Sequence, residues 1–396
     1  MAMEYWPSRK EVLEMISAAW SPTLESEQVP VGEAAGRVAA EDIYTAFGLP
    51  VVRASAMDGI GVEAIRFRDG GPDTSTWRSG TEYARTDTGD DFDDRYDAVI
   101  PIEMITMLPD GGIRIDPSVR VTAGMNIRPG GSYFQKGDLA VKQWTRLTPS
   151  DLAAMVMGGI TSAAVVKRPV VAFIPTGSEL IPAGRIPGRG NNLDSNSILA
   201  EQMLKEMGAE PLCLPIVRDD KQELAAVLET ALGKADIVIL NGGSSKGGED
   251  YNAELLKEKG RLLCHNIAAA PGRPMCIAVI KGKMVINLPG PSIACYYGMD
   301  WCVRAVVNTF LHQEPPVRGK IPVKLTEEIR YHKGMEILCK MEIQKTAKGY
   351  EGRQAPFRAS TVIDNLIAPA QFITDPERDH YEAGEIIEVE LLRDIK

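Results

Sequence analysis

The sequence lacks the patterns that mark a metal or disulfide framework. Its six cysteines include no Cys-x-x-Cys pair, and its four histidines are scattered without His-Glu-x-x-His spacing. No apolar run approaches the roughly 18 residues needed to span a bilayer, and residues 1–10 contain no apolar signal-peptide core. We therefore expect a soluble, cytoplasmic protein with reduced thiols and no membrane partner.

An excess of positive charge is also missing. The 44 lysines and arginines face 54 acidic residues, a net charge of −10, which predicts no nucleic-acid partner. An anionic substrate would therefore need a local basic pocket. The 396 residues, 44% hydrophobic and 25% charged, are ordinary for a globular chain of several domains at about 100 to 200 residues each.

Periodicity divides the chain into regions. Ser8 and Glu11 fit a capping box that opens an N-terminal helix, and residues 29–142 have short strand-like runs between Gly, Pro and Asp clusters. Thr148-Pro149 supplies a helix start. Beyond Arg168, strands and helices alternate at 170–174, 197–207, 210–216, 221–232 and 236–240. This alternation predicts βαβ units and a mostly parallel, doubly wound sheet.

The C-terminal part of the sequence is predicted to be rich in strands. Extended runs at 275–280 and 284–288 precede an apolar helix at 293–311, which Pro315-Pro316 ends. Strand-like runs follow at 321–325, 336–342 and 386–392. The predicted fold is therefore multidomain α/β plus β, with β-rich N-terminal domains, a central doubly wound α/β domain and a small C-terminal β domain.

Glycines and acids follow the predicted strands. In residues 241–250 (NGGSSKGGED), closely spaced glycines would let backbone N–H groups converge on an anion. The segment matches neither GxxxxGK[ST] nor GxGxxG, so a purely structural turn is an equal alternative. Glu179, Asp194 and Asp250 lie in similar loops. An acid there could cap a helix, or several facing one crevice could hold Mg²⁺ with a phosphate substrate.

A series of short motifs runs along nearly the whole chain, from about Arg9 to about Leu392. In order they are Ser55-Ala56-Met57-Asp58-Gly59, Thr88-Gly89, Asn126-Ile127-Arg128, Thr148-Pro149, Pro175-Thr176-Gly177-Ser178-Glu179-Leu180, Asp194-Ser195-Asn196, Gly242-Gly243 with Asp250-Tyr251, Pro271-Gly272-Arg273-Pro274 and Leu288-Pro289-Gly290. In this order they resemble the molybdopterin molybdenumtransferase family, the bacterial MoeA and gephyrin E-domain group. An ordered set is far more specific than any one motif.

The resemblance implies an L-shaped, four-domain subunit whose central domain is MogA-like. It also implies a homodimer, with the active site between the doubly wound domain of one subunit and the Met57-containing β domain of the other. The family reaction inserts molybdenum from molybdate into adenylylated molybdopterin and releases AMP with help from Mg²⁺. Molybdopterin adenylyltransferase is the candidate partner that would supply this substrate.

The resemblance also implies roles for individual residues. The expected catalytic residues are Asp58, Thr88, Glu179, Asp194 and Asp250, of which Glu179, Asp194 and Asp250 would hold Mg²⁺. The expected substrate-binding residues are Gly242, Gly243, Ser244, Ser245, Gly247, Pro271, Gly272, Arg273, Pro274 and Arg358. Arg273 and Arg358 would be the local cations for molybdate.

The expected domains follow the same resemblance. Residues 1–28 form an N-terminal helix region, residues 29–50 with 139–168 an elongated linking domain, and residues 51–138 a β-rich inserted domain. Residues 169–314 form the doubly wound, molybdopterin-binding domain, and residues 315–396 the C-terminal β domain.

The chain departs from the family pattern at several positions. Ala270 replaces the first lysine of Lys-Pro-Gly-Lys-Pro, and Tyr133 stands where an active-site acid is usual. Further departures are Arg53-Ala54, Asp90-Asp91 and Pro291-Ser292. Two alternatives to the transferase therefore stay open: a non-catalytic module that binds molybdopterin or a nucleotide, and an Mg²⁺-dependent phosphohydrolase.

Overall fold

The computed structural model describes residues 5–68, 70–243, 251–356 and 362–395. Contacts divide the chain into two units, one made of residues 1–25 with 166–396 and the other of residues 26–165.

Residues 26–165 form small sheets around buried apolar clusters. Gly59–Val62 pairs antiparallel with both Ala84–Thr86 and Ala98–Pro101. Thr148 caps the helix Pro149–Met157 with the predicted proline at its first turn. The other strands are Ser26–Pro30, Ile43–Tyr44, Ala54–Ser55, Ile105–Met107, Ile113–Ile115, Ile127–Arg128, Leu139–Val141 and Ser162–Val166, and the 3₁₀ helices are Val31–Glu33, Ala64–Phe67 and Ile102–Met104.

The other unit is built on a six-stranded, mostly parallel sheet, as predicted. Its strands lie in the order Glu210–Cys213, Val170–Pro175, Ile237–Asn241, Lys283–Leu288, Cys276–Ile280 and Arg261–His265. The first four are parallel; Cys276–Ile280 pairs antiparallel with Lys283–Leu288 on one side and with the edge strand Arg261–His265 on the other. The central parallel strands Val170–Pro175, Ile237–Asn241 and Lys283–Leu288 are largely apolar because both faces of a parallel sheet are covered.

Helices cover this sheet. Lys221–Lys234 and Tyr251–Lys259 pack against the face that carries Ala172, Ile174 and Leu240. Residues alternate between the faces of a strand, so Phe173 and Ile239 point to the opposite face. Asn196–Met207 contacts the strand Val170–Pro175 and the helix Ser292–Tyr297. The N-terminal helix Arg9–Ala19 has the predicted capping box between Ser8 and Glu11.

The apolar helix predicted at 293–311 contains a wider turn. Ser292–Tyr297 and Arg304–Phe310 are α-helical, and Gly298–Val303 between them is π-helical. Asp300 in this π turn is buried and pairs with Arg304 and Arg318. The apolar pattern alone does not separate this turn from regular α-helix.

The C-terminal strands form a closed barrel. Each strand of the barrel pairs with the next in the spatial order Glu336–Thr346, Gly349–Gln354, Lys320–Leu325, Ile386–Leu391 and Ala370–Ile373. The last of these, Ala370–Ile373, also pairs with the first, which closes the barrel. The short strand Ala269–Ala270 adds to this sheet beside Glu336–Thr346. The remaining elements of this unit are Leu180–Ile181, Asn192–Leu193, Ile329–Arg330, His380–Tyr381 and the helix Val362–Ile367. Within the described residues, no helix has the length and apolarity to cross a membrane.

Candidate functional site

The ends of three parallel strands lie level at one edge of the six-stranded sheet. Pro175 is opposite Asn241, and Asn241 is opposite Leu288. Cys276 pairs with Asn287, so the loop at 271–275 leads into the sheet at the same edge. Ligands of doubly wound sheets bind in the crevice outside the carboxyl ends of the strands. The fold therefore gathers the predicted loops in one place.

The glycine turn after Ile237–Asn241 requires its glycines. Gly242 and Gly243 have φ values of 120° and 72°. A Cβ at Gly242 would overlap the carbonyl oxygen of Thr176, and one at Gly243 would overlap the Asn252 amide. The Gly242 N–H donates to the Leu288 carbonyl at 2.9 Å, so it gives the loop its shape and is not a free donor. Ser244, Ser245, Gly247 and Asp250 lie outside the described residues.

A pair of buried asparagines joins two of these loops. Asn241 donates from Nδ2 to the Pro289 carbonyl at 2.9 Å, and its Oδ1 accepts from Asn196 at 2.8 Å. Asn196 also donates to the Gly290 carbonyl at 2.7 Å. The pair therefore holds the Leu288-Pro289-Gly290 loop, which lacks the asparagine usual in the family pattern.

A second asparagine pair supports the glycine turn. Asn252 donates to the Gly242 carbonyl at 3.0 Å and to Asn287 Oδ1 at 2.8 Å. Both side chains are almost completely buried. Asn196 and Asn241 belong to motifs noted in the sequence, but none of the four asparagines was predicted to be a site residue, because an amide pair between distant residues has no periodic pattern.

Glu179 and Asp194 lie on neighbouring chain segments. Leu180–Ile181 pairs with Asn192–Leu193, the Glu179 carbonyl accepts from Asn192 N–H, and Asp194 N–H donates to the Ile181 carbonyl. The Glu179 side chain is exposed and has no hydrogen-bond partner within the described parts of the chain. A carboxylate in this state is free to bind a cation or a water.

The Asp194 carboxylate is already engaged. It accepts from Ser197 N–H at 3.0 Å and from the Ser197 hydroxyl at 2.5 Å, at the start of the helix Asn196–Met207. Ser195, the first flanking residue, makes no capping bond. Asp194 thus performs the capping role that the sequence allowed, and any ligand role would be additional.

A narrow cleft beside the glycine turn contains charges that the sequence analysis missed. It is lined by Thr176, Gly243 and Asn252 together with the charged residues Arg218, Asp219, Asp220 and Lys221. Lys221 pairs with acids of the neighbouring helix Tyr251–Lys259. Arg218 has no ion-pair partner in the portion of the chain that the structure describes, but Asp219 and Asp220 beside it oppose the binding of an anion.

Arg273 lies in the loop that precedes Cys276–Ile280. Gly272 has a φ of 124°, a value that glycine adopts readily. The Arg273 guanidinium carbon lies 4.9 Å from the centroid of the Trp6 ring. Arg358, the other cation assigned to molybdate, lies outside the described residues.

Asp58 and Thr88 meet in the unit of residues 26–165, although they come from separate motifs. Asp58 Oδ1 accepts from Thr88 N–H at 2.7 Å and from the Thr88 hydroxyl at 2.8 Å. These bonds hold the pKa of the exposed Asp58 carboxyl below its usual value. The residue after Asp58 must be glycine, because a Cβ at Gly59 would overlap the Ile100 carbonyl oxygen.

Two of the departures from the family pattern have structural partners. Arg53 donates to Asp94 at 2.9 Å and to the Tyr96 carbonyl at 2.6 Å, and it lies over the Phe92 ring. Its charge therefore fixes a local loop. Tyr133 accepts a hydrogen bond from Arg128.

No cluster of three metal-binding side chains occurs in residues 5–68, 70–243, 251–356 or 362–395. Of the predicted ligands, Glu179 and Asp194 are described and Asp250 is not. None of the six cysteines is in a disulfide, and of the six only Cys213 is exposed.

Two sequence profiles match the chain. The MoeA N-terminal region (domain I and II) matches residues 8–159, and the probable molybdopterin binding domain matches residues 172–309.

Similar proteins cover nearly the whole length. A molybdopterin molybdenumtransferase of Haemophilus influenzae is 26% identical over 408 residues, covering 97% of each chain. One of Bacillus subtilis is 27% identical over 354 residues, covering 87% of this chain and 79% of its own. The crystal structure of a molybdopterin biosynthesis MoeA protein from Pyrococcus horikoshii superimposes with a TM-score of 0.80 at 26% identity, covering 99% of this chain and 100% of that one.

Proposed function

This chain belongs to the molybdopterin molybdenumtransferase (MoeA) family, and on that premise we propose that it inserts molybdenum from molybdate into adenylylated molybdopterin and releases AMP. The observation that carries the proposal is the edge of the doubly wound sheet. There the fold brings together the glycine turn, the segments of Glu179 and Asp194, and the Arg273 loop. These are the groups that an adenylylated pterin and an oxyanion would need.

We propose Glu179, Asp194 and Asp250 as the residues that hold Mg²⁺. Mg²⁺ in proteins is usually bound by one or two carboxylates together with substrate phosphates, so the described pair fits this role. When bound, the ion would neutralise the developing charge of the phosphoanhydride.

The described residues supply the remaining steps. As an alternative to binding Mg²⁺, Glu179 would orient a water molecule at the phosphoanhydride and accept its proton as the water oxygen bonds to phosphorus and AMP leaves, because the Glu179 carboxylate is exposed and has no hydrogen-bond partner among the described residues. Arg273 would bind the molybdate dianion through its N–H groups. Gly242 and Gly243 would set the shape of the turn that binds the substrate, because a Cβ at either residue would overlap Thr176 or Asn252.

The assembly is part of the proposal. We infer a homodimer in which Asp58 and Thr88 of one subunit complete the site of the other, with molybdopterin adenylyltransferase as the supplier of substrate. Mixing Asp58→Ala with Glu179→Ala subunits tests this. Mixed dimers should regain activity, and failure to do so, with mixed dimers present, would contradict a shared site.

Location and domain division also stay proposals. The absence of disulfides among the six cysteines favours the reducing cytoplasm. The resemblance to the family predicts domain boundaries after residues 28, 50, 138, 168 and 314. Limited proteolysis that releases stable fragments with ends near these positions would support it.

A binding module without turnover is the second candidate. Ala270, which removes a cation, and Tyr133, which replaces an acid and pairs with Arg128, favour it. The experiment is to incubate the purified protein with adenylylated molybdopterin, Mg²⁺ and molybdate. AMP together with molybdenum-loaded pterin supports the transferase, AMP alone supports a phosphohydrolase, and binding without products supports the module.

A further inference from the structure

The Arg273 side chain lies against an aromatic ring. Its guanidinium carbon lies 4.9 Å from the centroid of the Trp6 ring. Across the described parts of the chain, no carboxylate forms an ion pair with it, whereas Arg9 and Arg53, for example, have such partners. The N–H groups of Arg273 are therefore available to a ligand.

The Trp6 ring occupies a fixed place. Its backbone neighbour Pro7 accepts a hydrogen bond from Ala268 N–H at 2.9 Å. Arg9 Nε donates to Glu336 at 2.7 Å, and Glu336 pairs with Ala269 across the adjoining strands. The N-terminal segment is thus anchored along the loop that leads to Arg273.

The indole N–H does not explain why tryptophan stands here. It is buried and has no hydrogen-bond partner among the residues that the structure describes. The polar contact of this side chain is instead the cation on its face. An aromatic face attracts a guanidinium but uses none of its N–H groups, which point outward in the guanidinium plane.

We propose that Trp6 is a positioning residue for the oxyanion substrate, acting through Arg273. The inference rests on the proposed function and extends it to a residue outside all the motifs discussed above. Trp6 restricts the long Arg273 side chain, so less rotamer freedom is lost when the N–H groups bind a tetrahedral dianion. It thereby offsets part of the loss of the second cation at Ala270.

The test measures molybdate dependence in Trp6→Leu and Trp6→Phe, alone and combined with Arg273→Lys. The readouts are KM for molybdate and kcat in the AMP assay, and Kd for molybdate from calorimetric titration. Trp6→Leu should raise KM and Kd by about threefold to tenfold with kcat nearly unchanged, and Trp6→Phe should retain part of the wild-type affinity. In the Arg273→Lys background, Trp6→Leu should have much less effect.

Trp20→Leu is the matched control. Trp20 is a buried tryptophan that directly follows the helix Arg9–Ala19, whereas Trp6 precedes it, and Trp20 donates to the Gly282 carbonyl at 3.1 Å. Its replacement should lower the melting temperature and leave molybdate dependence unchanged. If Trp6→Leu does not fold stably, Trp6→Phe, alone and combined with Arg273→Lys, tests the role of Trp6 instead.

The outcomes separate this inference from the proposed function. Unchanged molybdate dependence in Trp6→Leu, or an equal effect of Trp6→Leu in the wild-type and Arg273→Lys backgrounds, overturns the role of Trp6. If the wild-type protein binds molybdate without turnover, the proposed transferase fails and the Kd series still decides the role of Trp6. If the wild-type protein does not bind molybdate, both are overturned.

Discussion

Asp58 accepts two hydrogen bonds from a single residue, Thr88, one from the backbone N–H at 2.7 Å and one from the hydroxyl at 2.8 Å. The two residues are far apart in the sequence and belong to different motifs. Their bonds lower the pKa of Asp58, so its carboxylate is charged at neutral pH. Asp58 therefore carries an oriented negative charge at the surface of the unit formed by residues 26–165.

We expect Asp58→Ala to abolish most AMP release while the melting temperature stays near that of the wild-type protein. Thr88→Val should reduce turnover by about tenfold, since a hydrogen bond to a charged group contributes about 1.5 to 3 kcal/mol, and Thr88→Ser should restore most of it. Asp116→Ala is the control, because Asp116 accepts the same two kinds of bond from Ser118. Equal losses at Asp58 and Asp116 would contradict a functional role.

Two substitutions of Asp194 distinguish its capping role from a catalytic role. Asp194→Asn keeps an acceptor for Ser197, whereas Asp194→Ala removes it and should lower stability by about 1 kcal/mol. We expect the asparagine variant to keep its melting temperature and to lose AMP release by more than about tenfold, because the charge is gone. Full turnover in a folded asparagine variant would show that Asp194 only caps the helix.

Asn252 links stability to substrate binding. Asn252→Ala leaves the Gly242 carbonyl and the Asn287 side chain without this donor, at a cost of about 1 to 3 kcal/mol in the free energy of unfolding. The altered glycine turn should also weaken molybdopterin binding, measured by pterin fluorescence.

Asn365→Ala is the control for this variant. Asn365 is also buried and donates to the Pro356 carbonyl at 2.7 Å. Its loss should lower stability without affecting molybdopterin binding. Unaltered pterin affinity in Asn252→Ala would show that the asparagine pair serves the fold alone.

Lys340 makes stability depend on pH. Its side chain is buried, with Nζ 3.6 Å from the centroid of the Tyr296 ring, and burial lowers its pKa to about 7. Asp300 opposes this shift, while Arg318 and Arg393 add to it. Between pH about 7 and about 10.4 the unfolded chain binds more protons at this residue than the folded chain, so the contribution of Lys340 to stability rises with pH.

Lys340→Met should therefore gain most in melting temperature, relative to the wild-type protein, below pH 7. The gain should shrink as pH rises above 7, because the wild-type lysine then loses its proton in the folded state. Calorimetric scans across this range measure the difference, with the exposed Lys324→Met as the control. A difference that does not vary with pH would mean that Lys340 keeps its charge when buried.

Local rules predicted much of the fold. Ser8 and Thr148 begin their helices as caps because capping depends on residues three apart, and the strand–helix alternation beyond Arg168 gave the parallel sheet. The closure of the C-terminal barrel and the π turn at Gly298–Val303 were not predictable in this way. Both depend on packing between distant segments, which leaves no local pattern.

The candidate site, too, could be predicted only where its residues follow a local pattern. The acids and glycines at strand ends could be found from position alone, since carboxyl ends of parallel strands meet at one edge. Trp6 lies far from Arg273 in the sequence, and its contact depends on the fold. Arg53, considered in sequence terms only as a change from the family pattern, proves to be held by Asp94 and backbone carbonyls.

The most direct test of the account is the ratio of molybdenum incorporated into pterin to AMP released, measured by metal analysis and chromatography as molybdate is varied. A transferase predicts that both products appear together, one for one, and that both saturate at the same molybdate concentration. AMP release that continues at the same rate without molybdate, with no molybdenum in the pterin, would contradict the proposed function.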